Sequence, residues 1–264
     1  MSKRPLDATT AEAKKYKSAL DTMADEWTCP ITSELPLDPV MAEDGRVYER
    51  SAIEGWFAGQ PEEAEVKSPV TDVRMGKKLF PAVQVRNNLK AMVQSGALSG
   101  DKADAWKKRL GEEQEVIDMQ KEAEGGDVTA VYDLGFWHRN GTKGLAKDDK
   151  KAFGWFKKAA GLNFPPALGQ CGCYYVNGDG GVEKDKIRGF VMLGQAAALG
   201  SEHACYVLGW VYAYGHHGVK KDPAEAAKWY RRMDGCRYKS CDNDKDIVAE
   251  VAEWLREYDG ETGE

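Results

Sequence analysis

The feature that most constrains this 264-residue chain is a 37-residue register in its second half. Ala130, Ala167 and Ala204 stand one register apart, and so do Gly135, Gly172 and Gly209. The same step relates Gly141, Gly178 and Gly215, then Gly144, Gly181 and Gly218, then Asp148, Asp185 and Asp222. Trp155, Met192 and Trp229 each follow their aspartate by seven residues. Self-similarity of this kind demands stacked units, none of which buries its apolar face alone.

Each unit reads as two helices. The first, from Val128 to His138 in the first copy, carries small residues at Ala130 and Gly135 that let a neighbouring helix approach. The turn from Gly141 to Gly144 needs backbone angles closed to most other residues. The repeated aspartate has the chemistry of an N-cap for the second helix, and Pro223 after Asp222 suits the first helical position. Ala226, Trp229 and Tyr230 then share a helical face, as do Ala152, Trp155 and Phe156, and Gly189, Met192 and Leu193.

The third copy, Leu208-Gly209, Tyr212, Gly215, Gly218-Val219, Asp222, Ala226 and Trp229-Tyr230, resembles the Sel-like repeat, a relative of the tetratricopeptide repeat. The resemblance covers three copies, 128–164, 165–201 and 202–238. It implies an all-α solenoid of helix-turn-helix repeats that offers a protein-binding surface. Gly135, Trp155, Gly172, Gly209 and Trp229 are expected to be structural, with both tryptophans packed between helices. Gly189, where the pattern has Ala, is expected to weaken its helix by about 1 kcal/mol. A helix over 101–126 is expected to connect and to cap the front of the stack, with Ala123 in register. Residues 239–264 are expected to supply a rear capping helix, with Ile247, Val248, Val251 and Leu255 inward and a frayed end from Asp259.

Residues 26–96 follow another pattern. Pro39–Ala42 and Arg46–Tyr48 flank Asp44-Gly45, a hairpin signal. A helix is expected over Arg50–Ala58, then a loop from Gly59 to Ser68 with Glu62, Glu63 and Glu65. A short extended piece at Lys78–Phe80 and a closing helix over Val83–Val93 follow. One cysteine, Cys29, and no histidine lie between residues 27 and 93, too few ligands for zinc.

Five separated motifs stand in order here: Cys29-Pro30-Ile31-Thr32-Ser33-Glu34-Leu35, Asp38-Pro39-Val40, Asp44-Gly45-Arg46-Val47-Tyr48-Glu49-Arg50, Ile53-Glu54-Gly55-Trp56 and Ser68-Pro69-Val70-Thr71. Together they resemble the U-box, the zinc-free relative of the RING domain. The resemblance implies an α+β fold before the solenoid. It also implies a ubiquitin ligase, a RING-type ubiquitin transferase that holds a ubiquitin-charged conjugating enzyme while a substrate lysine attacks. No catalytic residue, metal or cofactor belongs to such a site. By position, Ile31, Thr32, Trp56, Pro69 and Val70 would contact the conjugating enzyme, although Ile31 and Trp56 also read as core. Glu34, Asp38, Asp44, Arg46 and Arg50 would form the polar network that replaces zinc. The implied partners are the conjugating enzyme, ubiquitin, and a protein substrate or adaptor on the repeats. Two departures, Asp72 where a basic residue is expected near Lys67 and Arg74, and Ala82 where the family has asparagine, keep open a non-enzymatic scaffold whose U-box is only an interaction module.

Composition narrows the partners. A net charge of −6 without a large basic block argues against nucleic acid. The longest nearly apolar run, Cys205–Gly215, is too short for a membrane span, and the N-terminus lacks the apolar core of a signal peptide. The six cysteines, unevenly spaced, read as free thiols of a reducing compartment, cytoplasmic or nuclear. Residues 1–25 are expected to be a flexible N-terminus. Its Lys3, Arg4, Lys14, Lys15 and Lys17 read either as a nuclear import signal or as a solvated end. His216-His217 reads as solvated rather than ligating, Cys171 and Cys173 as small apolar groups, and Cys236 and Cys241 lack zinc-site spacing.

Overall fold

A computed structural model of the chain describes residues 6–61, 65–237 and 245–262. Two compact units divide it, Met1–Gln114 and Glu115–Glu264, and the division falls inside one long helix. Lys3, Arg4, Glu62, Glu63 and Cys241, named above, lie outside the described residues.

The first unit begins with α1 (Leu6–Trp27), where the sequence suggested an irregular end. That helix was not legible because little of it touches the core. Among its residues with described side chains, Ala24 is buried and Trp27 half-buried. The strands β1 (Pro39–Met41), β2 (Val47–Glu49) and β3 (Phe80–Pro81) form an antiparallel sheet in the order β2-β1-β3. Val40 faces Tyr48 across one ladder and Pro81 across the other. Gly45 closes the hairpin at φ 76°, a conformation that suits glycine. α2 (Arg50–Ala58) turns Ile53 and Phe57 inward against Cys29, Val40 and Tyr48. A second cluster gathers Leu35, Leu89 and Val93 from the loop and α3 (Val83–Gln94) around Ala103 and Trp106. The latter two come from the first half of α4 (Asp101–Glu124). That half therefore completes the core of the first unit, where the sequence suggested only a connector and cap.

The second unit is built of helix pairs: α5 (Val128–Asn140) with α6 (Asp149–Gly161), α7 (Pro165–Asn177) with α8 (Lys186–Ala198), and α9 (Glu202–Tyr214) with α10 (Pro223–Arg232). Each first helix stops at a left-handed glycine, Gly141, Gly178 or Gly215. Each second helix is capped by its aspartate, which accepts an amide hydrogen from Lys151, Arg188 or Glu225. The backbone amides of the same aspartates donate to His138, Tyr175 and Tyr212, tying the two helices of each repeat together. Met119 and Ala123, from the second half of α4, pack on the first pair.

On the second helices of the first and third pairs the buried aromatics include Phe156 and Tyr230; burying each contributes roughly 1.5–3 kcal/mol. Trp155 and Trp229, expected in the core, are half-buried at its edge, with Lys158 and Arg232 over their rings. A Cβ at Gly135 would come within 2.7 Å of the Phe156 ring, and one at Gly209 within 2.5 Å of the Tyr230 ring. Gly189 faces Gly172, and a Cβ there would meet Val176 at 2.5 Å and the Gly172 carbonyl at 2.7 Å. The drift from alanine thus permits a close helix crossing.

At the rear, α11 (Lys245–Thr262) continues helical through the segment expected to fray, with Asp259 paired to Arg231. Val251 is buried, and Ile247 and Leu255 are partly so. Val248, expected inside, is exposed, and Trp254 packs edge-on to Tyr230 in its stead.

Candidate functional site

Three supports of the first unit turn apolar side chains outward. The first is a turn held shut by two backbone bonds, Cys29 N–H to Glu34 O at 2.9 Å and Ser33 N–H to Cys29 O at 2.8 Å. Cys29 anchors it in the core and Ser33 takes a left-handed φ of 61°, which leaves Ile31 and Thr32 in solvent. The second support is α2. Because Ile53 and Phe57 face inward, Trp56 lies outward, 37 % exposed, and its indole N–H donates to Lys67 O at 3.0 Å. That bond joins the helix to the third support, the loop around Ser68. The buried Ser68 hydroxyl accepts the amides of Val70 and Thr71 and donates to Asp44 at 2.6 Å. Pro69 is half-buried and Val70 is 43 % exposed. Val73, which the sequence reading passed over, adds a second exposed aliphatic group from the same loop. Its only sequence signal was proximity to Val70.

The supports are fixed by polar groups. Burial alone would push the Asp44 carboxyl up. Hydrogen bonds from Ser68, Tyr48 and the Arg46 amide, with the Arg46 charge, outweigh that and hold it below the usual carboxylate range. Burial, then the bond to Asp44, pushes the Tyr48 hydroxyl well above its ordinary value, so it stays a donor. Arg50 pairs with Asp38 at 2.6 Å and Glu34 with Arg109 at 2.8 Å, both partly exposed and of modest worth. The sequence reading missed the centre of this network. The buried Glu49 carboxylate accepts the amides of Leu37 at 2.7 Å and Asp38 at 3.1 Å, and the guanidinium of Arg109 at 3.1 Å. Ser68, Tyr48 and Arg109 were also missed. Ser68 and Tyr48 lie within the quoted motifs, whereas nothing local marks Arg109.

Cys29 is fully buried in the core. In the second unit Cys173 Sγ lies 3.7 Å from His203 Nε2, but burial pushes that thiol up to about 12, so it remains protonated. Among the described residues no group of three His, Cys, Asp or Glu is placed to hold a metal. Nor, among them, is any helix long and apolar enough to cross a membrane. Lys67 and Arg74 are paired with Asp72 at 3.0 Å and Glu65 at 2.8 Å.

Comparison with known proteins agrees with this layout. The U-box domain family matches residues 23–95, and the Sel1 repeat family matches 128–164, 165–201 and 202–233. The chain is a U-box followed by three Sel1 repeats. Among curated relatives it is 32 % identical over 114 residues to U-box domain-containing protein 19 of Arabidopsis thaliana, covering 41 % of this chain and 14 % of that protein. It is 50 % identical over 44 residues to human WD repeat, SAM and U-box domain-containing protein 1, covering 17 % of this chain and 9 % of the relative. It is 51 % identical over 37 residues to E3 ubiquitin-protein ligase SPL11 of Oryza sativa subsp. japonica, covering 14 % and 5 %. The chain thus spans only a small part of each of these relatives. The crystal structure of a Sel1 repeat protein from Oxalobacter formigenes matches 53 % of this chain and 99 % of its own, at 29 % identity and a TM-score of 0.39.

Proposed function

We propose that this chain is a ubiquitin ligase of the U-box type. It binds a ubiquitin-charged conjugating enzyme and promotes non-covalent transfer to a substrate lysine, while the Sel1 repeats hold the substrate or an adaptor. One observation carries the reading. Ile31, Trp56 and Val70 are exposed large apolar groups on three hydrogen-bonded supports, each held outward by buried neighbours, Cys29, Ile53 with Phe57, and Ser68. The name of the rice relative points the same way. Such a surface works by positioning. Restraining the thioester-linked ubiquitin lowers the orientational entropy that lysine attack must otherwise overcome. The cytoplasm or nucleus, where conjugating enzymes act, is the proposed compartment.

The pairing of Lys67 with Asp72 and Arg74 with Glu65 favours a second reading, a scaffold whose U-box binds without activating. Discharge of ubiquitin from a charged conjugating enzyme to free lysine separates the two. Wild type should accelerate discharge with at least one enzyme of a panel. Ile31→Ala should bind that enzyme about 30-fold more weakly, a central contact's worth, with an unchanged melting temperature. A folded wild type that accelerates discharge with none would sink the ligase reading.

A further inference from the structure

Between the second and third repeats lies a cavity of about 310 Å³, walled by α7, α8, α9 and the short turn His216–Gly218. The register explains how it arises. One repeat earlier, the corresponding positions hold Phe136, Arg139, Phe156 and Tyr174. There the Phe156 and Tyr174 rings lie 6.0 Å apart, while Arg139 covers Phe136 at 4.6 Å and donates to Gln170 at 2.7 Å. At the second junction Cys173 replaces Phe136, Val176 replaces Arg139, Leu193 replaces Phe156 and Val211 replaces Tyr174. Each exchange removes volume from an interior that ordinarily packs as densely as a crystal. Unfilled space of this kind costs stability.

At the mouth the exchanges run the other way. Trp210 stands in register with Cys173, and His217 with Gly180. Val176, Leu193 and Val211 are buried beneath, whereas Phe190, Trp210 and His217 are half-exposed around the opening. His216 stacks on the Trp210 ring at 4.0 Å and 20°, which fixes the wall before any ligand arrives. His217 is held at φ 58°, where the second repeat uses glycine, and Lys186 donates to its carbonyl at 2.9 Å. The first repeat holds Lys143 at the same register position and the same φ, so the turn is left-handed in all three copies and here it carries an imidazole to the opening.

Two lysines, Lys184 and Lys186, stand beside the His217 edge of the mouth. Burial lowers the affinity of the His217 imidazole for protons, and Lys184, His216 and Lys186 lower it further. Of the three carboxylates in the adjoining loop, Asp185 accepts the Arg188 amide at 3.0 Å, Glu183 is exposed, and the exposed Asp179 acts on Cys173 rather than on His217. Asn177, exposed at the edge, offers a donor and an acceptor that suit a peptide backbone.

We propose that this cavity takes one bulky aromatic or aliphatic side chain of a partner polypeptide whose neighbouring residues are acidic. At the small end of ligand pockets, it accommodates a side chain rather than a helix. The proposal rests on the preceding reading only in making that partner the substrate or adaptor.

The test titrates the full chain with the blocked pentapeptide Asp-Glu-Phe-Glu-Asp and follows the Trp210 indole resonance. Saturable binding is expected, about tenfold weaker or worse when the peptide phenylalanine becomes alanine. It should also weaken when the four acids become lysines, and Lys184→Glu/Lys186→Glu should remove the preference for acids. Cys173→Phe, which restores the first-repeat residue and fills the space, should abolish binding. Equal binding of the phenylalanine and alanine peptides, binding that survives Cys173→Phe, or none at millimolar peptide would overturn the proposal. If Cys173→Phe does not fold, the peptide comparison on wild type decides alone. Lysine discharge measured on the same samples keeps the readings apart, since loss of discharge with intact peptide binding refutes only the ligase, and the reverse only the cavity.

Discussion

Replacing Glu49 with alanine tests how far the polar network holds the first unit together. The carboxylate is buried and accepts three donors, the Leu37 and Asp38 amides and Arg109. Arg109 does not become an orphan, because it also donates to Leu35 O at 3.1 Å and pairs with Glu34 at 2.8 Å. The loss therefore falls mainly on the two amides. Hydrogen bonds to a charged acceptor contribute about 1.5–3 kcal/mol each, which puts Glu49→Ala at roughly 3–5 kcal/mol. For a domain of this size that lowers the melting temperature by at least about 12 °C. Calorimetry on the full chain reads the shift, and hydrogen exchange in peptides spanning residues 36–50 assigns it to this unit. Arg109→Ala should cost less, and the double variant should fall short of the summed losses by about 1 kcal/mol or more. Unchanged melting and exchange in Glu49→Ala would refute the reasoning, because the network would then be decoration on a core that holds unaided.

Gly189→Ala sets two effects against each other. Helix propensity favours alanine by about 1 kcal/mol, but the added Cβ would press on Val176 and the Gly172 carbonyl. Overpacking costs about 1–3 kcal/mol, so urea denaturation should show net destabilisation, and a gain would disprove the close crossing. Ala82 caps α3 without a side-chain bond, and Ala82→Asn should add about 1 kcal/mol, read from the same denaturation curves. Asp44 titrates below its unfolded value of about 3.9, so its contribution is present above that pH and lost as pH falls through the folded value. Wild type should accordingly melt higher than Asp44→Asn near neutrality, and the gap should close below about pH 4; a constant gap would show that the charge does not matter.

The elements most legible in the sequence are those set by local chemistry. Asp148, Asp185 and Asp222 cap helices because a short carboxylate before a helix has amides to satisfy. Arg50–Ala58 was readable from Ile53 and Phe57, one turn apart. Asp38, Asp44 and Arg50 could be named from their motifs. Glu49 was quoted in a motif but not singled out, since a buried role depends on donors 11 and 60 residues away. Trp106 and Arg109 carry no local signal, because their partners, the Pro36 and Leu35 carbonyls, are backbone atoms that any residue could supply. The exposure of Trp56 and Val70 was expected by position. The indole bond to Lys67 depends on a loop path that spacing does not encode. The cavity was invisible for another reason. It appears only when two copies of the repeat are subtracted from one another, not when their shared residues are counted.

α4 also settles where the first unit can be cut. The U-box match ends at residue 95, yet the Trp106 indole donates to Pro36 O at 3.0 Å, and Arg109 reaches Leu35 and Glu49. A fragment ending at 95 would retain every motif residue and lose the fully buried Trp106 from beneath Leu35 and Leu89. It would be prone to proteolysis and to aggregation through the face α4 had covered, and its silence in a ubiquitin assay would reflect that exposure. A fragment that keeps this core runs from α1, which supplies Ala24, past Leu110 to Glu113, which pairs with Arg86.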